Sequence, residues 1–323
     1  MDFVHTPVMS KEILTFLAPK NKASLFVDAN TGEAGHSQAF LAEFEDLKLV
    51  CIDVDKDILE IAKKRLAPYS DRIYFYNGWS YDFFTNYPNE LKRPDMILFD
   101  LGISSYHYKK SAKGFSFDKD ENLDMRLCSN DNLTAADIIA RFGEKELADL
   151  FYNNSGEKHS RRIASFIVSE RQKAAITTTS ALNEIIYRAV PAGRHGNKKG
   201  FNIHPATRVY QSLRIAVNEE LSRLTCFLEA ALRVLEPGGR FAVLSYHSGE
   251  DRIVKRFIQA KNKNCTCPKN APVCNCKRRS QVNVLTKKGI TPTKEEITRN
   301  LPSRSARLRV IEKVLDDEEV KND

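Results

Sequence analysis

The sequence predicts an α/β fold: a doubly wound parallel sheet interrupted by a helical insert. Two observations point to it. Over roughly the first hundred residues, short β-rich runs alternate with helical stretches, the pattern of strands joined by crossover helices. After Gly102 the alternation gives way to a helix-rich region without a clear strand, and it resumes before the carboxyl end.

The strand candidates are "SLFVD" (Ser24 to Asp28), "LVCIDVD" (Leu49 to Asp55), "RIYFYNG" (Arg72 to Gly78) and "DMILFDLG" (Asp95 to Gly102), each bounded by turn or charged residues. Between them, "DKDILEIAKKRLAPY" carries Ile58, Ile61, Ala62 and Leu66 on one helical face. "TAADIIARFGEKELADLFYNN", "SRRIASFIVSERQKA" and "TTTSALNEIIYRAV" read as helices of the insert. The loop "PAGRHGNKKGFNIHP" then leads into a helix, a Pro-Gly-Gly stop and a buried strand at Phe241 to Ser245. "RLRVIEKV" near the end completes the sheet. Residues 1–107 and 207–323 are expected to form the sheet domain and 108–206 the insert.

Composition narrows the function classes. The chain has 323 residues, 42% hydrophobic and 28% charged, ordinary for a soluble globular protein. The amino terminus lacks a basic segment followed by an apolar run, and no stretch approaches roughly eighteen uninterrupted apolar residues, so the expectation is a cytoplasmic protein with no membrane partner. The net charge of +8 is unevenly spread: from Arg252 to Lys313 the only acids are Glu295, Glu296 and Glu312. Such a flank, with Lys277, Arg278, Arg279, Lys287 and Lys288, suits a polyanion partner or a merely soluble surface. Four of the seven cysteines crowd into "CTCPKNAPVCNC" (Cys265, Cys267, Cys274, Cys276). Without a secretory signal the crowding favours thiols or a metal over disulfides. Both pairs are C-x-C where zinc sites usually have C-x2-C, so a metal site and a reduced loop stay open and no metal ligand is assigned.

In a doubly wound sheet the ligand sits outside the carboxyl ends of the strands, and the first strand-to-helix turn is glycine-rich so that backbone can approach it. "DANTGEAGHS" occupies that turn. Its Gly-x-x-Gly is weak alone, since a plain turn reads the same way. Asp53 adds to it: an acid ending the second strand about twenty residues after Gly32, placed to accept hydrogen bonds from the two hydroxyls of a ribose. The fingerprint G-x-G-x-x-G, which seats a pyrophosphate on a helix amino terminus, is missing, and this disfavours an NAD enzyme. S-adenosyl-L-methionine fits: an adenosine with an amino-acid tail and no phosphate. After the third strand "YNGWSYDF" offers Trp79 and Ser80 where an adenine can stack, with Trp79 as a core residue the plain alternative.

Eight blocks extend the reading: "HTPVMSKEIL", "DANTGEAGHS", "DLGISS", "GFSFDKDENLDMR", "GEKHSRRIASFIV", "HPATRVYQSLRIAVNEEL", "LEPGGRFAVLSYHSGEDRIVKRF" and "RSARLRVIEK". In order, from His5 to about Lys313, they resemble the motifs of the bacterial 16S rRNA (cytosine N4)-methyltransferase family. The resemblance implies a Rossmann-like S-adenosylmethionine-dependent methyltransferase sheet with a helical substrate-recognition insert. It also implies methylation of a cytidine at the decoding centre, with 16S rRNA in the small ribosomal subunit as partner; a homodimer is left open. Carried over by position, the family's cofactor contacts fall on Ala34, Gly35, His36, Asp53, Ser80, Asp100 and His107. The family usually reads G-R-G-G-H-S where this chain has "GEAGHS", a change compatible with backbone contacts if φ at Ala34 is negative. An aromatic is usual at Ser80, so Trp79 is the substitute adenine contact; "SSYHY" stands for S-S-P-Q and "SYHSGED" for S-F-H-S-L-E-D.

Asp100, at the carboxyl end of the fourth strand, is the candidate catalytic residue, accepting an N–H of the cytosine amine. A DNA amino-methyltransferase would usually carry Pro-Pro-aromatic where "DLGISS" stands, and a purely RNA-binding module leaves Asp53 and Asp100 unexplained. His5, His204 and His247 either line the cytidine pocket or are structural, Arg208 and Arg214 face phosphate or pair on a helix, and Asp124 pairs with Arg126.

Overall fold

The computed structural model describes residues 6–129, 131, 133–190, 205–265, 267, 276 and 279–314. His5, His204, Cys274, Lys277 and Arg278 lie outside the described residues. In chain order the elements begin α1 (Ser10–Phe16), β1 (Leu25–Asp28), α2 (Gly35–Glu43), β2 (Lys48–Asp53), α3 (Lys56–Arg65), β3 (Ile73–Asn77), α4 (Ser80–Thr85) and β4 (Met96–Asp100). Six helices follow: α5 (Ser105–Lys109), α6 (Ala135–Arg141), α7 (Glu144–Ser155), α8 (Ser160–Arg171), α9 (Thr179–Ala189) and α10 (Pro205–Val217). The chain then runs through α11 (Glu220–Val234), β5 (Arg240–Ser245), α12 (Ser248–Lys261), β6 (Val282–Val284), α13 (Lys294–Arg299) and β7 (Arg307–Lys313). These form a sheet unit, Met1–Ile103 with Leu221–Asp323, and a helical unit, Ser104–Glu220. The sequence expectation put the second junction at 206/207; α10 instead belongs to the helical unit because it packs on α6, α7 and α9.

The inner strands of the sheet unit are apolar on both faces, and their side chains alternate between two cores. Val27, Val50, Ile97, Phe241 and Val243 join one cluster with Phe83 and Phe84 of α4, Phe227 of α11 and Val254 of α12. Their neighbours Phe26, Leu49, Leu98, Ala242 and Leu244 join the other with Ile13, Phe40 and Ala62 of α1, α2 and α3. This period of two, with helices on both faces, explains why the strands read as continuous apolar runs rather than as alternating ones. Phe227 sits 4.0 Å from Phe99 and 5.2 Å from Phe84, ring centroid to centroid, locking α11 onto β4 and α4.

The strand order is β3-β2-β1-β4-β5-β7-β6. β1 to β5 are parallel, Phe26 lying opposite Leu49 on one side and Met96 on the other. β7 is antiparallel to β5 and to β6, which corrects the all-parallel expectation. Only a crossover makes neighbours parallel, and the connection from β6 through α13 reverses the chain instead. Chain order reverses between β1 and β4, so the crevice outside their carboxyl ends is where a ligand of such a Rossmann-like sheet binds.

Within the helical unit α7 packs on α8 and α10, burying Leu147, Phe151, Ile163, Ile167, Val209 and Leu213. Asn154 Nδ2 donates to the Ser212 carbonyl at 3.1 Å and pins α7 to α10. The expected Asp124–Arg126 pair is present as a two-pronged contact, 2.8 Å in each arm. Arg214 likewise grips Glu220 at 2.8 and 3.0 Å, the helix-pairing alternative.

Candidate active site

The first turn is tied to the ends of β2 and β4 by its own backbone. Ala29 N–H donates to the Leu98 carbonyl (2.9 Å), Thr31 N–H to that of Ile52 (2.8 Å) and Asn30 Nδ2 to that of Asp100 (2.6 Å). Gly32 N–H donates to Asp53 Oδ2 at 2.8 Å, and Asp55 N–H to Asp53 Oδ1 at 2.9 Å, so this carboxylate is aimed before any ligand arrives. Gly35 opens α2 against Pro7, whose ring atoms would stand 3.2 Å from an added Cβ. A larger residue there would press on the Pro7 ring, which would have to give by a few tenths of an ångström.

Ala34 is left-handed, at φ 61° and ψ 32°. The sequence expectation made its tolerance conditional on a negative φ, and that condition is not met. A left-handed backbone costs an L-residue about 1–2 kcal/mol. Glycine would remove that cost while adding about 0.4–1 kcal/mol of unfolded-chain entropy. Ala34→Gly is therefore expected to stabilise the fold by up to about 1.6 kcal/mol, read as a higher urea midpoint; a lower midpoint would contradict this account of the turn.

Asp100 is 8% exposed at the end of β4. Its Oδ1 accepts from Gly102 N–H at 2.8 Å and its Oδ2 from the Tyr246 hydroxyl, just past β5, at 3.2 Å. His36 Nε2 stands 3.6 Å from Oδ2. Burial and the Asp100 carboxylate push the Tyr246 phenol well above its ordinary range, so it stays a donor. A Cβ on Gly102 would meet the Tyr246 ring at 2.8 Å and Asp100 Oδ1 at 3.0 Å, which is why glycine stands there. At the start of α4, Ser80 Oγ donates to the Ala29 carbonyl. Trp79 is half-buried with the Arg223 guanidinium 4.2 Å over its ring, so neither a plain core residue nor a bare stacking platform describes it.

Asp28, which ends β1, completes a row of three carboxyl groups with Asp53 and Asp100. Its Oδ2 accepts from Ser37 Oγ at 2.6 Å, and its Oδ1 has no hydrogen-bond partner among the described residues. Burial pushes the Asp28 carboxyl up to about 6 from an ordinary 3.8, with Asp100 and Asp53 adding to the rise. The folded state thus keeps a proton that the unfolded chain has released. Stability falls as pH rises between about 4 and 6, and the whole cost, about 3 kcal/mol, is present above that window. Asp28→Asn, which still accepts from Ser37, is expected to flatten this stretch of the stability curve in denaturant titrations at several pH values. An unchanged slope would place the titration elsewhere.

The residues present fit S-adenosylmethionine. Both ring nitrogens of His36 and Asp28 Oδ1 are buried polar atoms without a hydrogen bond among the described residues, and carboxyl groups suit a ligand with a sulfonium and an ammonium. A model of the MraW methylase family matches residues 2–314. The chain belongs to that family. Family membership makes it an S-adenosylmethionine-dependent methyltransferase. Similar proteins include the "Ribosomal RNA small subunit methyltransferase H" of Treponema denticola, 50% identical over 97% of this chain and 98% of that protein. Those of Carboxydothermus hydrogenoformans (42% identical, 97% and 99% covered) and Treponema pallidum (37%, 96% and 92%) carry the same name.

In this MraW-family chain the sheet unit brings together Ala34, Gly35, His36, Asp53, Trp79, Ser80 and Asp100. His107 lies in the helical unit on α5, buried with its ring 5.1 Å from that of Phe115. His247 is structural: its Nδ1 accepts from Gly249 N–H at 3.2 Å and caps α12. Asp28, Tyr246 and Arg223 were not named from sequence. Asp28 had a signal, the acid ending the first apolar run, whereas Tyr246 and Arg223 owe their place to tertiary contacts.

Proposed function

We propose that this protein methylates the N4 amine of a cytidine at the decoding centre of 16S rRNA, in the cytoplasm, with the small ribosomal subunit as its substrate. The observation that carries the reading is 50% identity across 97% of the chain to a protein named for small-subunit rRNA methylation. The ordered motifs from His5 to Lys313 support N4 of cytidine within that class. Among the described residues no helix is long and apolar enough to cross a membrane.

S-adenosylmethionine supplies an electrophilic methyl group when bound. Asp53, whose carboxylate the Gly32 and Asp55 N–H groups aim, would accept the ribose hydroxyls. Ala34, Gly35 and His36 would line the amino-acid tail and Trp79 and Ser80 would border the adenine; the family resemblance assigns His107 to the cofactor as well. Asp100 accepts one N–H of the cytosine amine, turning the nitrogen toward the methyl group and taking its proton late or passing it to water. Gly102 and Tyr246 hold that carboxylate still.

Incubation with methyl-labelled S-adenosylmethionine and small subunits lacking the modification, followed by nucleoside analysis, tests the proposal. Label in N4-methylcytidine supports it, and label in any other nucleoside or none overturns it. Arg279, Lys287 and Lys288 are exposed, and the proposal assigns them to rRNA phosphates. Neutralising all three is expected to weaken RNA binding and lower its salt slope by about 2 to 3, with cofactor affinity intact. A slope that does not move would make them a solvated surface.

A further inference from the structure

We propose that Cys265, Cys267 and Cys276 bind one zinc ion that clamps the basic loop between α12 and β6. The three sulfurs lie within 4.8 Å of one another. Burial does not account for the grouping, because Cys265 is exposed and Cys267 and Cys276 are only partly covered. Cys265 Sγ and Cys276 Sγ are 3.7 Å apart. That is far beyond a disulfide bond of about 2.05 Å. It matches the edge of a tetrahedron, about 3.8 Å for metal–sulfur bonds of about 2.3 Å. Cys267 N–H points at Cys265 Sγ at 3.3 Å, a donor that steadies a thiolate.

The loop is closed at its neck. Gln281 N–H donates to the Lys261 carbonyl (2.9 Å), Ser280 N–H to Asn264 Oδ1 (2.9 Å) and Ser280 Oγ pairs with Asn262 Oδ1 (3.1 Å). Beyond that neck the sulfurs of Cys265 and Cys276 meet across the loop, and a metal clip offsets the entropy of closing it. Soft thiolates select zinc over magnesium or calcium, and binding releases the thiol protons to water. Lys261, Lys263 and Arg279 lie in the same stretch of sequence, so a clamp on it would order basic residues of the loop. Cys274 lies outside the described residues, and the proposal does not depend on it.

The full-length protein, purified without chelator, is expected to carry about one zinc per chain by elemental analysis. A chelator is expected to expose at least three further thiols to a thiol reagent under native conditions. Cys265→Ser with Cys276→Ser should lower bound zinc roughly tenfold or more, while Cys226→Ser on α11 keeps the wild-type ratio. The wild-type zinc ratio and thiol count decide the matter even where the double variant fails to fold. Less than about 0.1 zinc per chain after incubation with zinc, iron in its place, an intact mass showing a disulfide, or zinc retained by a folded double variant would overturn the proposal.

Discussion

Asp100→Asn is expected to lower turnover by about 100-fold or more, the scale of an acid–base group. The N4 amine of cytosine is a poor nucleophile because its lone pair is delocalised into the ring. It becomes strongly acidic only as the methyl group arrives, so a carboxylate has to be in place without being a strong base beforehand. Asp100 is buried, with one oxygen on Gly102 N–H and the other on the Tyr246 hydroxyl, an arrangement that suits the proposed role. Asparagine is nearly isosteric and keeps one acceptor, so the loss reads the carboxylate and not the shape. The rival role is cofactor binding. A variant with a normal single-turnover rate at saturating cofactor and weakened cofactor affinity would show that Asp100 only binds and that catalysis is positional.

Asp53→Ala comes next in size. A hydrogen bond to a charged group contributes about 1.5–3 kcal/mol, so the variant is expected to weaken S-adenosylmethionine binding by about tenfold to a hundredfold. The same substitution releases Gly32 N–H and Asp55 N–H, so some loss of thermal stability is expected with it. Asp53→Asn separates the two effects, because its carbonyl oxygen keeps one acceptor, and an intermediate affinity is expected. Calorimetry reads both, and unchanged affinity in the alanine variant would remove Asp53 from the ribose site.

The parallel strands were legible as apolar runs stopped by a turn or charged residue, buried on both faces in β1, β2, β4 and β5; Leu25–Asp28 and Met96–Asp100 fall inside the stretches expected. β6 was not, being three residues long with one exposed, too short to show a period. The second unit junction was misplaced for a related reason: Ala206, Val209, Tyr210 and Leu213 mark an apolar helix face, but nothing local says which core receives it. Asp53 and Asp100 were legible as acids ending β2 and β4. The left-handed backbone at Ala34 was not, since alanine gives no sign of it. Nor was the Tyr246 hydroxyl on Asp100, a contact between residues 146 positions apart that only the pairing of β4 with β5 creates.

A crystal structure with S-adenosylhomocysteine bound tests the site most directly. The expected result is the ribose diol within hydrogen-bond distance of Asp53, the adenine beside Trp79 and Ser80, and the sulfur facing Asp100 across the switch point between β1 and β4. A ligand seated away from the carboxyl ends of these strands, or a ribose with no contact to Asp53, would contradict it.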